Sequence, residues 1–147
     1  MKINLILIYF FIIGFSNILF SQEKDYLLEF INKNANEFIG SAETVSIIQL
    51  IANPEKFDGK TIYIKGFLNL SFEGNALYLS DKDFDFKIFK NAIYLWLSNE
   101  DSFNLREQCN HKYVSIIGIF KVDKGHFGMF SGSIKNIKRI DIVEKRI

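Results

Sequence analysis

Apolar residues follow two different periods along this chain, and the change between them divides it into parts. From Leu5 to Ile13 the chain is apolar without a break, and Lys2 is the one charged residue among residues 1–21. The run loosens at Ser16-Asn17 and closes with Ile18-Leu19-Phe20-Ser21 before the polar Gln22-Glu23. A basic start, an apolar stretch and a small residue before a polar chain predict a cleavable secretory signal over residues 1–21. The rival reading is a membrane anchor, since a mostly apolar stretch of about 16–18 residues approaches the span of a bilayer. Ser16-Asn17 interrupts that stretch and no basic stop-transfer cluster follows Ser21, so the flanks favour cleavage. Export to the periplasm or the extracellular medium follows from that reading. With no cysteine near Ser21, a lipid anchor on an N-terminal cysteine is excluded.

Between Lys24 and Phe38, Leu27, Leu28, Ile31, Ala35 and Phe38 recur at helical spacing, which predicts an amphipathic helix within an N-terminal segment over residues 22–44. Ser46 with Gln49 three positions on is a capping-box pattern that opens a second, short helix, closed by Pro54. After the turn Asp58-Gly59 the period drops to two. Thr61 to Leu70 reads as a strand with Ile62, Ile64, Leu68 and Leu70 inward, and Gly66 marks a bulge or sharp bend in it. Turns at Glu73-Gly74-Asn75 and Asp123-Lys124-Gly125 help delimit further strands over Ala76–Ser80, Ala92–Leu97, Lys112–Phe120 and from about Phe127, with a break near Gly132, towards Val143. Asn99 to Asn110 is polar enough for a loop or one short helix.

Three strands, a connector and two more strands, with a bent first strand, is the layout of an OB-fold, a five-stranded Greek-key barrel. The fold class is therefore read as mainly β: an OB-like barrel over residues 45–147, preceded by one or two N-terminal helices. Another small β-sandwich or an α+β roll would have a similar strand count.

The passages from Val45 to Lys60, Phe72 to Leu79 and Gly125 to Gly132 together resemble a group of small, uncharacterised, exported bacterial proteins with OB-like barrels. The resemblance spans roughly Val45 to Ile140. It implies the barrel and export, and it carries over no activity and no site residue.

Composition and charge narrow the function classes. Of 147 residues, 48% are hydrophobic and 16% aromatic, a globular composition. Loss of residues 1–21 removes Lys2 and leaves the remaining basic residues balanced by 17 acidic ones. A zero balance argues against a protein devoted to phosphate backbones, which needs a basic excess. Cys109 is the sole cysteine, so no intrachain disulfide forms, and its place before a strand predicts a buried thiol.

Candidate chemistry is sparse. Asp81, Asp83 and Asp85 alternate like the start of a calcium loop, yet Phe86 and Ala92 stand where that loop needs glycine and glutamate. A solvated loop is the plainer reading. Cys109, His111 and His126 would be a bare minimum for zinc, and His126 reads better as a hairpin cap. Neither a P-loop nor a nucleophile elbow nor an HExxH is present. No metal, cofactor or catalytic residue is assigned.

The suggestive feature is aromatic. Strand alternation places Tyr63, Tyr78, Tyr94 and Trp96 opposite the inward residues, on the face where OB-folds hold ligands. The plainer alternative is that the N-terminal helix covers these rings as a second core. Lys135, Lys138 and Arg139 form a candidate basic cluster. These residues point to an exported, non-enzymatic OB-like binding module, contacting a protein or an envelope-associated ligand through the barrel face. The alternatives are a binder of single-stranded nucleic acid and, at lower weight, a hydrolase or metal-dependent enzyme acting through His111 or His126.

Overall fold

In the computed structural model the described residues are 42–72, 74–125 and 128–144. The signal segment and the helix expected over Lys24–Phe38 lie outside them. Five strands close a barrel: β2 (Thr61–Asn69), β3 (Ala76–Tyr78), β4 (Ala92–Leu95), β5 (Tyr113–Lys121) and β6 (Ser133–Ile142), with a two-residue β1 (Glu43–Thr44) added in parallel to β2. Around the barrel the order is β2-β3-β4-β6-β5, and β5 returns to β2. All these barrel pairings are antiparallel except β4 with β6, which is parallel over Tyr94↔Ser133 and Leu95↔Ile134. That order and that one parallel seam are the OB arrangement. Among the described residues no helix is long and apolar enough to cross a membrane.

The long strand β2 serves both halves of the barrel. Thr61 to Phe67 pair with β5, and Phe67 to Asn69 pair with β3. The register with β5 is unbroken through Gly66, so this glycine is not a bulge. It is a point of close approach: a Cβ there would lie 2.6 Å from the Tyr78 carbonyl oxygen and 2.7 Å from Leu77 Cγ. The register shift falls instead between β5 and β6, at Ile117/Ile119. The inward residues Ile62, Ile64, Leu68 and Leu70 are all buried, as alternation predicted, and join Leu77, Ile93, Leu95, Ile116, Phe120 and Ile134 in one core.

Short helices close the barrel. In α1 (Ile47–Ala52) the Ser46 hydroxyl accepts from Gln49 N at 3.1 Å, while the Gln49 side chain accepts from Ser46 N at 2.8 Å. The capping box read from the sequence is thus formed; such a cap contributes about 1 kcal/mol. Pro54 both ends α1 and opens α2 (Pro54–Phe57), where its missing N–H has no intrahelical partner to lose. The connector between β4 and β5 is α4 (Asn99–Cys109), capped by Ser98 and burying Ser102, Leu105 and Cys109 against the barrel. Asn99 to Asn110 therefore resolves as the helix rather than the loop. The thin stripe of three buried positions explains why its pattern is faint.

Cys109 is 1% exposed, and burial pushes its thiol pKa up, with Lys112 opposing in part. A folded sample should react with a soluble disulfide reagent only as fast as it unfolds, and at full rate in denaturant. Rapid labelling of the native protein would contradict this placement.

Two further expectations are corrected. Asp81 to Asp85 is not a solvated loop but α3 (Asp81–Asp85), followed by a 3-10 turn over Phe89–Asn91. Alternating carboxylates hid the helix, because its packing comes from Phe84 and from a cap at Ser80. The last strand does not run from Phe127 with a break near Gly132 but begins just after that glycine, at Ser133, since Gly128 to Gly132 wrap over the barrel face.

Helix α3 ends in a Schellman motif: Ile88 N donates to Asp83 O at 2.8 Å and Lys87 N to Phe84 O at 3.0 Å. The residue between them, Lys87, has φ of 54°, in the left-handed region that glycine usually fills. Lys87→Gly should stabilise the protein by about 1 kcal/mol, read as a higher urea midpoint. An unchanged or lower midpoint would show that the lysine is not strained there.

Candidate functional site

Strands β3 and β4 are buried on both faces, which a period-two pattern cannot show. Their inner residues belong to the barrel core. Their outer residues Ala76, Tyr78, Ala92 and Tyr94 form a second cluster with Phe67 and Phe130, packed against Phe84, Phe89 and Met129. The described residues that cover the two tyrosines come from the connections on either side. Phe84 of α3 meets Tyr78 edge-on at 5.5 Å, and Phe130 meets Tyr94 at 5.4 Å and Phe89 at 5.8 Å. Whether the N-terminal segment adds to this cover concerns residues outside those described.

The four aromatic residues read from alternation therefore have different fates. Tyr78 and Tyr94 are buried, at 3% and 7% exposure, while Trp96 is 45% exposed. Trp96 stands beyond the end of β4, edge-on to Tyr94 at 5.2 Å, with the Lys135 ammonium 5.2 Å over its ring. Tyr63 is remote from this cluster. It borders a separate hollow of about 320 Å³ with Thr44, Ile117, Arg139 and Asp141.

The basic residues are largely answered by carboxylates. Lys135 pairs with Asp123 at 2.7 Å and Arg139 with Asp141 at 2.5 Å. Burial works against the charged Asp123, but Lys135, Ser133 and the Gly125 N–H outweigh it and hold its pKa below the usual value. Lys138 also has an interaction of its own.

Between the connections lies a cleft of about 490 Å³, which meets the barrel at Asn69 of β2 and Tyr78 of β3. One wall is the β2–β3 turn, where Phe72 is 82% exposed. Two buried amides hold that turn. Asn69 Nδ2 donates to Gly74 O at 3.0 Å, and Asn75 Oδ1 accepts both from Ser71 N at 3.1 Å and from the Ser102 hydroxyl of α4 at 3.0 Å. The opposite wall is Phe84, Phe89, Met129 and Phe130, with Tyr78 lining the cleft between them and Asp85 and Lys87 contributing its charged groups.

The second wall is pinned by Asp83. Its carboxylate accepts from the Ser80 hydroxyl and, at 2.6 Å, from Asn91 Nδ2, joining the start of α3 to the start of β4. The Ser80 bond, with help from Asn91 and backbone N–H groups, overcomes burial and lowers the Asp83 pKa. Ser131 continues the clamp, its hydroxyl donating to Lys90 O at 2.7 Å.

Of the metal readings, the three aspartates diverge: Asp83 is buried in the clamp, Asp85 pairs with Lys82 at 3.3 Å, and Asp81 receives the Lys82 N–H. His111 is spent on packing, its ring parallel to Phe67 and its Nε2 3.3 Å from Asn69 Oδ1. His126 lies outside the described residues, among which no group of three or more His, Cys, Asp or Glu side chains is placed to hold a metal.

Sequence alternation found Tyr78 but missed Phe72, Phe84, Lys87, Phe89, Met129 and Phe130. All six lie in connections rather than strands. The available signal was large apolar residues inside polar, turn-rich segments, which are there either to cover something or to meet something.

No family model matches the chain, and no curated protein matches it. Among solved structures it is similar to a Leishmania major Friedlin protein assigned as an aspartyl-tRNA synthetase, at 10% identity and a TM-score of 0.41. That match covers 76% of this chain and only 23% of the synthetase, so the chain spans about a quarter of that protein's length.

Proposed function

We propose that this protein is an exported, non-enzymatic binding module that takes part of a protein or of an envelope-associated ligand into the cleft on its barrel face. One observation carries the reading: the cleft is walled by aromatic rings, one of which, Phe72, is held out on a braced turn at 82% exposure. Holding a phenyl ring in water opposes the hydrophobic effect, which favours its burial by about 2 kcal/mol. A partner that covers the ring recovers that free energy. The cleft volume of about 490 Å³ falls in the range of small-molecule sites. Export rests on the basic, apolar and small-residue order of residues 1–21.

The test is sedimentation of the protein with isolated cell envelope, comparing the native sequence with Phe72→Ala. Binding that is lost in the variant and persists in high salt is the expected result. Envelope binding equal in both proteins would overturn the cleft as the working surface. Intact mass of native material should show loss of residues 1–21, and a full-length membrane-held species would overturn export.

A second reading, single-stranded nucleic acid, draws on Trp96 and Lys135 stacked beside the same face. It would show as oligonucleotide binding that weakens steeply with salt. The ion pairs of Lys135 and Arg139 weigh against it, because phosphate would first have to displace Asp123 and Asp141.

A further inference from the structure

The lining of the cleft contains two polar groups that nothing in the described structure answers. The first is the hydroxyl of Tyr78. This residue is 3% exposed and lines the cleft, and among the described residues its hydroxyl makes no hydrogen bond. The hydroxyl is not among the buried side-chain atoms left without a partner, so it reaches the water of the cleft, and a ligand there can take that water's place. Burial raises the phenol pKa, so at neutral pH the group is a neutral donor and acceptor.

The second is the ammonium of Lys87. Of the two charges lining the cleft, Asp85 is neutralised by Lys82 at 3.3 Å, whereas Lys87 has no ion pair among the described residues. The unanswered charge of the cleft is therefore positive. Lys87 also occupies the left-handed position of the α3 Schellman motif, where glycine would remove the strain. A strained residue in the lining of an aromatic cleft, whose charge has no ion pair among the described residues, fits a side chain whose role lies in what it contacts.

We infer that the cleft binds a small organic anion: an aromatic or aliphatic body between Phe72 and Phe84, a hydrogen-bonding atom at Tyr78, and an anionic group at Lys87. This rests on the reading of the cleft as the binding site and names the chemistry of what it takes.

The experiment uses two fluorescent dyes that share an anilinonaphthalene body. Anilinonaphthalene sulfonate carries an anion, and N-phenyl-naphthylamine does not. Titration of the native protein should give one site for each dye, with the sulfonate bound about tenfold more tightly, as one charge-assisted contact provides. Lys87→Gln should erase that preference and leave the neutral dye unchanged. Tyr78→Phe should weaken both dyes about fivefold, since both bring an N–H to the hydroxyl. Phenylbutyrate should displace the sulfonate, and phenylbutanol should do so far less well. Each variant is checked for an unchanged urea midpoint, except that Tyr78→Phe is judged by its spectrum and single unfolding transition.

The outcomes separate the two levels of the argument. If Phe72→Ala weakens neither dye, the cleft is not the site and the proposed function falls with the inference. If Phe72→Ala weakens both dyes but the native protein shows no preference for the sulfonate, or keeps that preference in Lys87→Gln, the cleft stands and the anion assignment is overturned.

Discussion

Replacing Gly66 with valine should destabilise the protein by about 3 kcal/mol, the upper end for overpacking in a close-packed core. A Cβ at this position would meet the Tyr78 carbonyl at 2.6 Å, Leu77 Cγ at 2.7 Å and Ile47 Cδ1 at 2.9 Å. The Ile47 methyl can move, but the carbonyl belongs to β3 and cannot withdraw without dragging Tyr78 with it. Valine is a better strand former than glycine, yet that preference spans only about 1 kcal/mol and is outweighed. The measurement is urea unfolding, where the midpoint should fall with the slope unchanged. Because Tyr78 lines the cleft, dye affinity in the surviving folded protein should fall as well. A midpoint equal to that of the native protein would mean that β2 and β3 are further apart than described.

Asp83→Ala should cost about 2 kcal/mol at neutral pH, as expected when hydrogen bonds to a buried charged acceptor are removed. Ser80 and Asn91 both donate to this carboxylate, and the alanine would leave their groups unanswered. The pH dependence follows from the lowered pKa of Asp83. A carboxylate that ionises more readily when folded contributes fully above the unfolded aspartate range and loses that contribution as pH falls through its folded value. The stability gap between native and variant proteins should thus be complete at neutral pH and narrow in acid, below about pH 4. Unfolding midpoints across that range decide the matter, and a gap independent of pH would show that the clamp does not depend on charge. Dye binding should weaken in the variant, since the clamp holds Phe84 against Tyr78.

The barrel was legible because its core obeys local rules. Ile62, Ile64 and Leu68 alternate with outward residues along β2, and the capping box at Ser46 and Gln49 is a pattern contained within four residues. Strand count and order, with turns at Glu73-Gly74-Asn75 and Asp123-Lys124-Gly125, pointed to the OB arrangement before any contact was known. Gly66 was recognisable as special, but the carbonyl that demands it lies in another strand. Only the tertiary structure could show that this glycine makes room and is not a bulge.

The cleft was hidden for a related reason. Alternation says which side of a strand a residue takes, and it put Tyr78 and Tyr94 on the outer side. It cannot say that two connections fold back and bury that side, because the contacts of Phe84 with Tyr78 and of Phe130 with Tyr94 join residues in different elements. The basic cluster shows the same limit: Lys135 looked free until Asp123, from the preceding turn, was found beside it. Lys87 looked like one solvated charge among many until α3 formed around Asp83 and put it in the cleft lining, with no ion pair among the described residues. The sequence alone determined α1, the barrel strands apart from the start of the last one, the inward residues and the expectation of a barrel, since these depend on neighbours within a few positions. Tertiary structure decided which outward rings are covered, which charges are answered and where a ligand has room, since those depend on segments brought together only by closing the sheet.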